Sequence, residues 1–270
     1  MPHLLDVPGT IRWIRRDGIE NILAGMVRYL ESDLLRWEEF EKVPRLASHS
    51  PHGVIELMPI TDRELYSFKY VNGHPHNPAR GLQTVTAFGV LADVDNGYPI
   101  LFAEMTLLTA LRTAAMSALA ARELARPGAR VHALIGAGSQ AEFQALAMRT
   151  VLGMEELRVM DLDAAAVEKV RHNLEPLGFR VHAAATVEEA LEGADVVTTC
   201  TADKARAAVL HSEQVRPGMH LNAIGGDCPG KTELDPTILE EARVVVEYEP
   251  QTRIEGEIQQ LSADVEVTEL

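Results

Sequence analysis

The stretch Val131–Gln144, VHALIGAGSQAEFQ, decides the fold of the second half of this chain. Its first five residues are typical of a buried strand, which leads into the glycine turn GAG and then into apolar residues at helical spacing. Small residues at Gly136, Gly138 and Ala141 fit the pattern G-x-G-x-x-G/A. The first permits a tight turn, the second lets backbone approach a pyrophosphate, and the third lets helix pack closely on strand. The stretch therefore predicts a dinucleotide site at the positive end of a helix.

Strand and helix patterns alternate after this stretch. Continuous apolar strands that alternate with helices are typical of a parallel sheet covered on both faces. We therefore predict a Rossmann-type, doubly wound α/β domain over residues 127–270, beginning at the sharp stop Arg126-Pro127-Gly128. The pair Asp235-Pro236 predicts the start of a helix. A further helix is predicted over residues 250–261. The predicted later strands are LRVMD (157–161), RVHAAA (180–185), DVVTTC (195–200), MHLNAI (219–224) and RVVVEY (243–248).

The first part of the chain has a different pattern. Alternation in GVIELM (53–58) and LYSFKYV (65–71) predicts half-buried strands, with Val54, Glu56 and Met58 on one face. Residues 84–104 read as two strands joined at Asn96-Gly97, a strong hairpin signal. Amphipathic spacing predicts helices over 19–40 and 105–125. We expect an α+β domain with an antiparallel sheet over residues 1–126.

Composition excludes several function classes. The formal charge of −15 over 270 residues would repel nucleic acid. No apolar run approaches the roughly 20 residues of a membrane helix, and the N-terminus lacks the pattern of a signal peptide. The two cysteines, Cys200 and Cys228, lack metal or redox spacing, so we expect reduced, buried thiols. These features predict a cytoplasmic protein with no nucleic-acid or membrane partner.

Asp161 ends the second predicted strand of the Rossmann-type domain. A carboxylate there can accept bonds from both ribose hydroxyls, and it would repel a 2′-phosphate, so it favours NAD over NADP. The alternative is a helix N-cap, a role that Asp163 could equally fill. Thr201 follows the fourth predicted strand at the same edge, where ligands bind in such sheets.

The stretch NAIGGDCPGKTELD (222–235) leaves the fifth predicted strand at that edge. Its glycines at 225, 226 and 230 would let backbone lie against a flat ligand, so we assign Asn222, Ile224, Gly225 and Gly226 to the cofactor site. By position alone, Asp227 is more often a turn former than a catalytic group. Lys231 could hold a phosphate or be solvated.

Three charged residues of the first domain need an explanation. Arg112 lies in a nearly uncharged helical segment, and a buried guanidinium there would need a protein or ligand partner, such as a carboxylate. Glu56 and Lys69 occupy mid-strand positions, where a solvent-facing side chain of a half-exposed sheet is the better interpretation. His74 and His76 lack a convincing third ligand, so we expect structural roles and no metal site.

These residues together carry a resemblance to the ornithine cyclodeaminase/mu-crystallin family that extends over nearly all of the chain. The stretches GGDCPGKTEL and EYEPQTRIEGEIQQL are specific to the cyclodeaminase branch. The matching stretches are PRLASHS (44–50), HGVIELMP (52–59), FKYVNGHPHN (68–77), LQTVTAFGVLADVDNGYP (82–99), EMTLLTALRTAAMSALAA (104–121), GAGSQAEFQALA (136–147), TADKA (201–205), NAIGGDCPGKTELD (222–235) and VEYEPQTRIEGEIQQL (246–261).

The resemblance implies a first domain for substrate binding and dimerisation, a second that keeps NAD bound, and a homodimer. It implies conversion of L-ornithine to L-proline and ammonia by hydride transfer to NAD and back, in proline biosynthesis and arginine/ornithine catabolism. Asp227 matches the acid/base and Glu56 a carboxylate that meets a substrate amine. The substrate carboxylate is matched by Arg45, Lys69 and Arg112. Cofactor contacts match Thr84, Arg112, Ser139, Gln140, Asp161, Thr201 and Lys231.

The resemblance leaves other activities open. Within the same family, the chain could be a net NAD-dependent amino-acid dehydrogenase or ketimine reductase, or a lysine cyclodeaminase. From another class, it could be a non-catalytic ligand-binding protein like the mu-crystallins. Members usually continue well past the segment that matches residues 257–261, so we expect this sequence to lack the family's C-terminal tail.

Overall fold

A computed structural model describes residues 1–202 and 206–270 of the chain. The chain divides into two compact units, Met1–Arg112 and Thr113–Leu270. This division falls within a long helix over Thr106–Leu124, whereas the domain boundary at residues 126 and 127 stays a prediction from the sequence. Among the residues described, no helix combines the length and the apolar character that crossing a membrane requires.

The first unit is built on one sheet, with its helices near the start and the end of the unit. Asp6 begins α1, because its Oδ1 accepts the backbone N–H of Gly9 at 2.8 Å. The elements are β1 (His3–Leu5), α1 (Val7–Asp17), α2 (Ile19–Leu35), β2 (Glu41–Lys42), β3 (Leu46–Ser50), β4 (Gly53–Thr61), β5 (Leu65–Gly73), β6 (Val85–Asp93), β7 (Pro99–Glu104) and α3 (Thr106–Leu124).

The sheet of the first unit runs in the order β1-β7-β6-β5-β4-β2, and β3 also pairs with β4. The pairs are antiparallel, as the sequence predicts, except that the short strand β1 lies parallel to β7. Strands β6 and β7 form the predicted hairpin. Gly97 lies in its turn with φ 71°, in the left-handed region that glycine adopts without strain.

The two faces of this sheet differ in exposure. Val54 and Glu56 are buried, whereas Ile55 and Leu57 between and after them are exposed, which confirms the predicted alternation along β4. In the register, Leu57 lies opposite Tyr70, which lies opposite Phe88, so an aromatic and aliphatic surface continues across the exposed face.

The second unit alternates strands with helices. Asp163, Thr186 and Asp235 begin α5, α6 and α7, because each side chain accepts a backbone N–H of the first turn. The elements are β8 (Val131–Ile135), α4 (Ala141–Leu152), β9 (Glu156–Met160), α5 (Ala164–Leu174), β10 (Arg180–Ala183), α6 (Val187–Leu191), β11 (Val196–Thr199), β12 (Arg206–Leu210), β13 (His220–Ala223), β14 (Thr232–Leu234), α7 (Pro236–Glu241), β15 (Val245–Val246), α8 (Glu249–Thr252) and β16 (Thr268–Glu269).

The main sheet of this unit confirms the predicted Rossmann-type fold. Its five strands are parallel and run in the order β10-β9-β8-β11-β13. The chain moves outward from β8 in one direction through β9 and β10, and then returns to β11 on the other side. The carboxyl ends of β8 and β11 therefore form a topological switch point, where ligands bind in open α/β sheets.

Two parts of the second unit differ from the sequence-based prediction. The predicted strand over 243–248 forms only β15, which pairs with β16 and does not join the main sheet. The predicted helix over 250–261 is divided into α8 and a 3-10 turn over Glu257–Gln260. The division occurs at Gly256, whose φ of 99° lies outside the helical region.

Candidate active site

Gly136 closes a turn that only glycine fits. Its φ is 107°, and a Cβ at this position would lie 2.7 Å from the carbonyl oxygen of Cys200 and 3.1 Å from the backbone nitrogen of Thr201. The turn after β8 is therefore packed directly against the segment after β11. Burial raises the pKa of the Cys200 thiol, which stays protonated and donates to the carbonyl oxygen of Gly136 at 3.1 Å.

Gly138 and Ala141 are small residues for different reasons. A Cβ at Gly138 would meet no protein atom within 4 Å, so the space above this exposed residue is open. Ala141 is fully buried at the start of α4. Ser139 is exposed and Gln140 half-buried at the N-terminal end of that helix. The open space beside a helix N-terminus is what a pyrophosphate needs.

Asp161 lies against the glycine turn. Its Oδ2 accepts the backbone N–H of Ala137 at 2.6 Å, and its Oδ1 accepts that of Asp163 at 2.8 Å. Asp163 itself caps α5 by accepting the N–H of Ala165 at 2.9 Å. The capping role considered for Asp161 thus belongs to Asp163, and each Asp161 oxygen keeps a lone pair for a ribose hydroxyl.

Lys169 is a part of this site that the sequence does not reveal. Its Nζ donates to the carbonyl oxygens of Ala137 and Gly138, each at 3.1 Å, and lies 3.3 Å from a carboxylate oxygen of Glu142. Its ammonium therefore holds the outer side of the glycine turn. Nothing in the local pattern of α5 distinguishes this lysine from a solvated one.

The loop after β13 carries the candidate acid/base. Asp227 is exposed, and its Oδ1 lies 3.2 Å from the Nζ of the buried Lys231. The same Nζ donates to the carbonyl oxygen of Thr201 at 2.8 Å. Lys231 thus holds Asp227 beside the segment that packs on the glycine turn. Asp203, Lys204 and Ala205 of the stretch TADKA lie outside the described residues.

Buried carboxylates of the protein itself explain why residues 225 and 226 are glycines. A Cβ at Gly225 would lie 2.1 Å from the carboxylate of Glu233, and one at Gly226 would lie 3.0 Å from Oε1 of Glu257. The protein's own carboxylates therefore occupy the space that the sequence suggests for a flat ligand, whereas Gly230 does face open space. Cofactor contacts of Gly225 and Gly226 stay predictions.

Two further predicted residues lie at the end of β13. Asn222 is buried, and its Oδ1 lies 3.0 Å from Nε2 of His220, while its Nδ2 has no hydrogen-bond partner among the described residues. Ile224 is half-buried and donates its N–H to the carbonyl oxygen of Thr199 at 3.1 Å. Both stay candidates for the cofactor site.

Two of the predicted substrate residues, Glu56 and Lys69, lie on the buried face of the first unit's sheet, and Arg45 directly precedes β3. Glu56 is 6% exposed, which corrects the expectation of a solvent-facing side chain, because it shares the face of buried Val54. An Arg45 guanidinium nitrogen lies 3.5 Å from Oε2 of Glu56. Lys69, opposite Met58 in the register, is half-buried on the same face.

Arg112 and Thr84 also lie in the first unit. Arg112 is exposed, so its predicted burial is wrong: the buried side of α3 is formed by Leu111, Ala114 and Ala115, and Arg112 lies beside it. Thr84 is half-buried just before β6, where its carbonyl oxygen accepts the N–H of His74 at 2.8 Å. Among the residues described, no group of three or more His, Cys, Asp or Glu is arranged to hold a metal ion.

Comparison with known proteins places these features in a family. An ornithine cyclodeaminase of Agrobacterium fabrum is 57% identical over 94% of this chain and 72% of its own length. A solved lysine cyclodeaminase matches with a TM-score of 0.93 at 32% identity, over 99% of this chain and 80% of that one. That protein recognises L-lysine, L-ornithine and L-2,4-diaminobutyric acid.

A solved archaeal alanine dehydrogenase, a dimer with bound NAD, matches with a TM-score of 0.82 at 32% identity, over 96% of this chain and 78% of that one. The family description "Ornithine cyclodeaminase/mu-crystallin family" matches residues 11–270. The match covers both compact units, and the chain belongs to the ornithine cyclodeaminase/mu-crystallin family.

Proposed function

We propose that this protein is an NAD-dependent ornithine cyclodeaminase that converts L-ornithine to L-proline and ammonia. One observation carries the proposal: Lys231 holds the exposed Asp227 carboxylate beside Thr201, at the switch point of a sheet whose glycine turn leaves room for a pyrophosphate. The 57% identity to an ornithine cyclodeaminase supports the substrate.

The residues of the glycine turn fit NAD. Open space above Gly138 admits the pyrophosphate, the N-terminus of α4 with Ser139 and Gln140 lies beside it, and the Asp161 carboxylate suits two ribose hydroxyls but not a 2′-phosphate. When bound beside these residues, NAD would supply an acceptor for hydride from the substrate Cα and, as NADH, a donor for its return.

Asp227 moves protons in the proposed mechanism. An ammonium group cannot supply the electron pair that hydride departure from Cα needs, so Asp227 accepts a proton from the substrate α-amine. Once Cα has lost hydride, the side-chain amine attacks the resulting imine carbon, and the α-nitrogen leaves as ammonia to give a five-membered cyclic imine. Return of hydride to that carbon gives proline, so ornithine yields proline plus ammonia with no net oxidation.

Three cations of the first unit orient the substrate. We assign Arg45, Lys69 and Arg112 to its carboxylate, where guanidinium groups bind in bidentate fashion and fix Cα for reaction, a positioning effect. Glu56 already has Arg45 as a neighbour at 3.5 Å. It therefore orients that guanidinium, and the resemblance to the family is the ground on which we assign it to a substrate amine as well.

A single assay tests the reaction. The purified protein is incubated with L-ornithine and catalytic NAD+, and proline, ammonia and NADH absorbance are followed together. We expect equal amounts of proline and ammonia with no net NADH. Steady NADH formation would identify a net dehydrogenase or ketimine reductase instead, and absence of turnover with retained ligand binding would identify a non-catalytic binding protein.

Asp227→Asn tests the assigned acid/base. We expect the variant to bind NAD as the wild type does and to lose proline formation, because the amide cannot accept the proton. Asp264→Asn, on an exposed carboxylate near the end of the chain, is the matched control. Near-normal proline formation by Asp227→Asn would overturn the assignment.

L-lysine is a second candidate substrate. The TM-score of 0.93 to a lysine cyclodeaminase supports it. Comparison of kcat/KM for L-ornithine and L-lysine decides between them, and we expect a preference for ornithine.

We also propose a homodimer formed through the exposed face of the first unit's sheet. Monomers seldom expose a continuous apolar patch of this kind, and a structurally similar alanine dehydrogenase is a dimer. Light scattering on the wild type should give twice the mass of one chain, and the Phe88→Glu variant should give a lower mass. A wild type with the mass of one chain would contradict the proposal. The exposed apolar residues of this face are Leu4, Leu46, Ile55, Leu57, Phe88 and Phe102.

A further inference from the structure

Glu233 is a buried carboxylate at the candidate cofactor site that the sequence does not single out. It lies in β14, is 1% exposed, and accepts hydrogen bonds from residues that follow two strands of the main sheet, β11 and β13. Its Oε1 accepts from the backbone N–H of Thr201 at 2.6 Å and from the Thr201 hydroxyl at 2.5 Å. Its Oε2 accepts from the N–H of Gly225 at 3.0 Å.

These bonds fix the direction of the Thr201 hydroxyl. A threonine hydroxyl has one hydrogen and two lone pairs, and here the hydrogen is donated to Glu233. The backbone N–H of Thr201 is donated to Glu233 as well, and its carbonyl oxygen accepts from Lys231. The hydroxyl can therefore meet a ligand only through its lone pairs, as an acceptor.

Glu233 is itself held firmly in place. The Glu257 carboxylate accepts the backbone N–H groups of Glu233 at 2.8 Å and Leu234 at 2.9 Å, and it is positioned in turn by Gln260 at 3.2 Å. Gly225 leaves the room that the Glu233 carboxylate fills. The orientation of Thr201 is therefore built into the fold before any ligand binds.

We propose that Glu233 is a positioning residue, which sets the Thr201 hydroxyl as a hydrogen-bond acceptor for an N–H or O–H donor of the bound dinucleotide. This inference rests on the proposed NAD site. The donor is either the carboxamide N–H of the nicotinamide or a ribose hydroxyl, since these are the donors such a dinucleotide presents near the switch point. Glu233 acts through Thr201 and does not touch the reacting atoms.

A double-mutant cycle tests the proposal, with NAD affinity measured by calorimetry on the full chain. Glu233→Gln places an amide N–H against one of the donors, and one amide orientation turns the Thr201 hydroxyl hydrogen toward the ligand. We expect Glu233→Gln to lower NAD affinity about tenfold in the wild-type background and less than about threefold in a Thr201→Val background. An equal loss in both backgrounds, or no loss in either, would overturn the proposal.

A second pair of variants carries the test if Glu233→Gln does not fold, as judged by circular dichroism. Thr201→Ser keeps the hydroxyl and should bind NAD within about threefold of the wild type, whereas Thr201→Val should bind about tenfold more weakly. Equal losses in the two variants would contradict an acceptor role for the hydroxyl.

A cofactor analogue identifies the donor. Acetylpyridine adenine dinucleotide lacks the carboxamide N–H, so its affinity should be insensitive to Thr201→Val if that group is the donor, and reduced like that of NAD if a ribose hydroxyl is. An analogue whose affinity rises in Thr201→Val would contradict both. Failure of the proposed reaction shows in a different measurement, proline formation by the wild-type chain.

Discussion

Replacing Gly136 or Gly138 with alanine should separate the stability of the glycine turn from its capacity to bind a cofactor. The two residues lie in the same turn, yet their surroundings differ. At Gly136 the φ of 107° is strained for any other residue, and a Cβ would lie 2.7 Å and 2.8 Å from the carbonyl oxygen and carbon of Cys200. At Gly138 the same atom would meet nothing within 4 Å.

The expected magnitudes follow from these contacts. A positive φ costs alanine about 1–2 kcal/mol, and forcing backbone atoms apart costs about 1–3 kcal/mol more. Gly136→Ala should therefore lower the free energy of unfolding by about 2–5 kcal/mol. Gly138→Ala should change it by less than about 1 kcal/mol. Its NAD affinity should fall at least about tenfold, because the methyl group occupies the approach of the pyrophosphate.

Urea unfolding followed by circular dichroism and NAD titration by calorimetry measure the two effects. Gly25→Ala, in the middle of α2 with only a side-chain atom of Arg28 nearby, is the matched control and should leave NAD affinity unchanged. Unfolding of Gly136→Ala at the same urea concentration as the wild type, or NAD binding by Gly138→Ala as tight as that of the wild type, would contradict these two roles of the glycines.

Three further predictions concern carboxylates of the second unit. Asp161→Ser should weaken NAD binding at least about tenfold and narrow the preference for NAD over NADP, as measured by titration with both; an unchanged preference would contradict the ribose assignment. Asp195→Ala should lower the free energy of unfolding by about 3 kcal/mol, because the backbone N–H groups of Arg130 and Val131 lose their acceptor. Burial opposes the shift, but those bonds hold the pKa of the Asp195 carboxyl below its ordinary value. The stability that Asp195 contributes should therefore be lost as pH falls through that pKa. If the Asp195→Ala variant loses stability in acid as steeply as the wild type does, Asp195 is not the source of that loss. Burial, together with the Glu233 charge, raises the pKa of Glu257 to about 7. The stability that Glu257 contributes is therefore full below about pH 4.5 and is lost as pH rises to 7, a decline of up to about 3 kcal/mol. Urea unfolding at several pH values should show a flatter decline for Glu257→Gln, and a pH profile equal to that of the wild type would contradict this prediction.

The architecture of the second unit follows closely from local sequence patterns. The strand over Val131–Ile135, its glycine turn and the succeeding apolar strands identify the parallel sheet, because each pattern reports an interaction within a short segment. The strand predicted at 243–248 has the same apolar character. It does not join the main sheet, since composition reports burial and not the partner.

The candidate site was less predictable where it depends on residues distant in sequence. Glu233 and Glu257 carry no motif, yet their carboxylates explain glycine at 225 and 226, which the sequence suggested as ligand-contacting backbone. Arg112 shows the converse error. An apolar helix suggested a buried guanidinium, but the residue lies beside the buried side of α3 and is exposed.

The fate of the hydrogen on the substrate Cα tests the central claim most directly. Ornithine deuterated at Cα is converted with catalytic NAD+, and the product is examined by mass spectrometry and NMR. If the cofactor takes hydride and returns it within one turnover, proline should retain the deuterium at Cα and no labelled NADH should accumulate. Unlabelled proline, or deuterium recovered in accumulating NADH, would contradict the account.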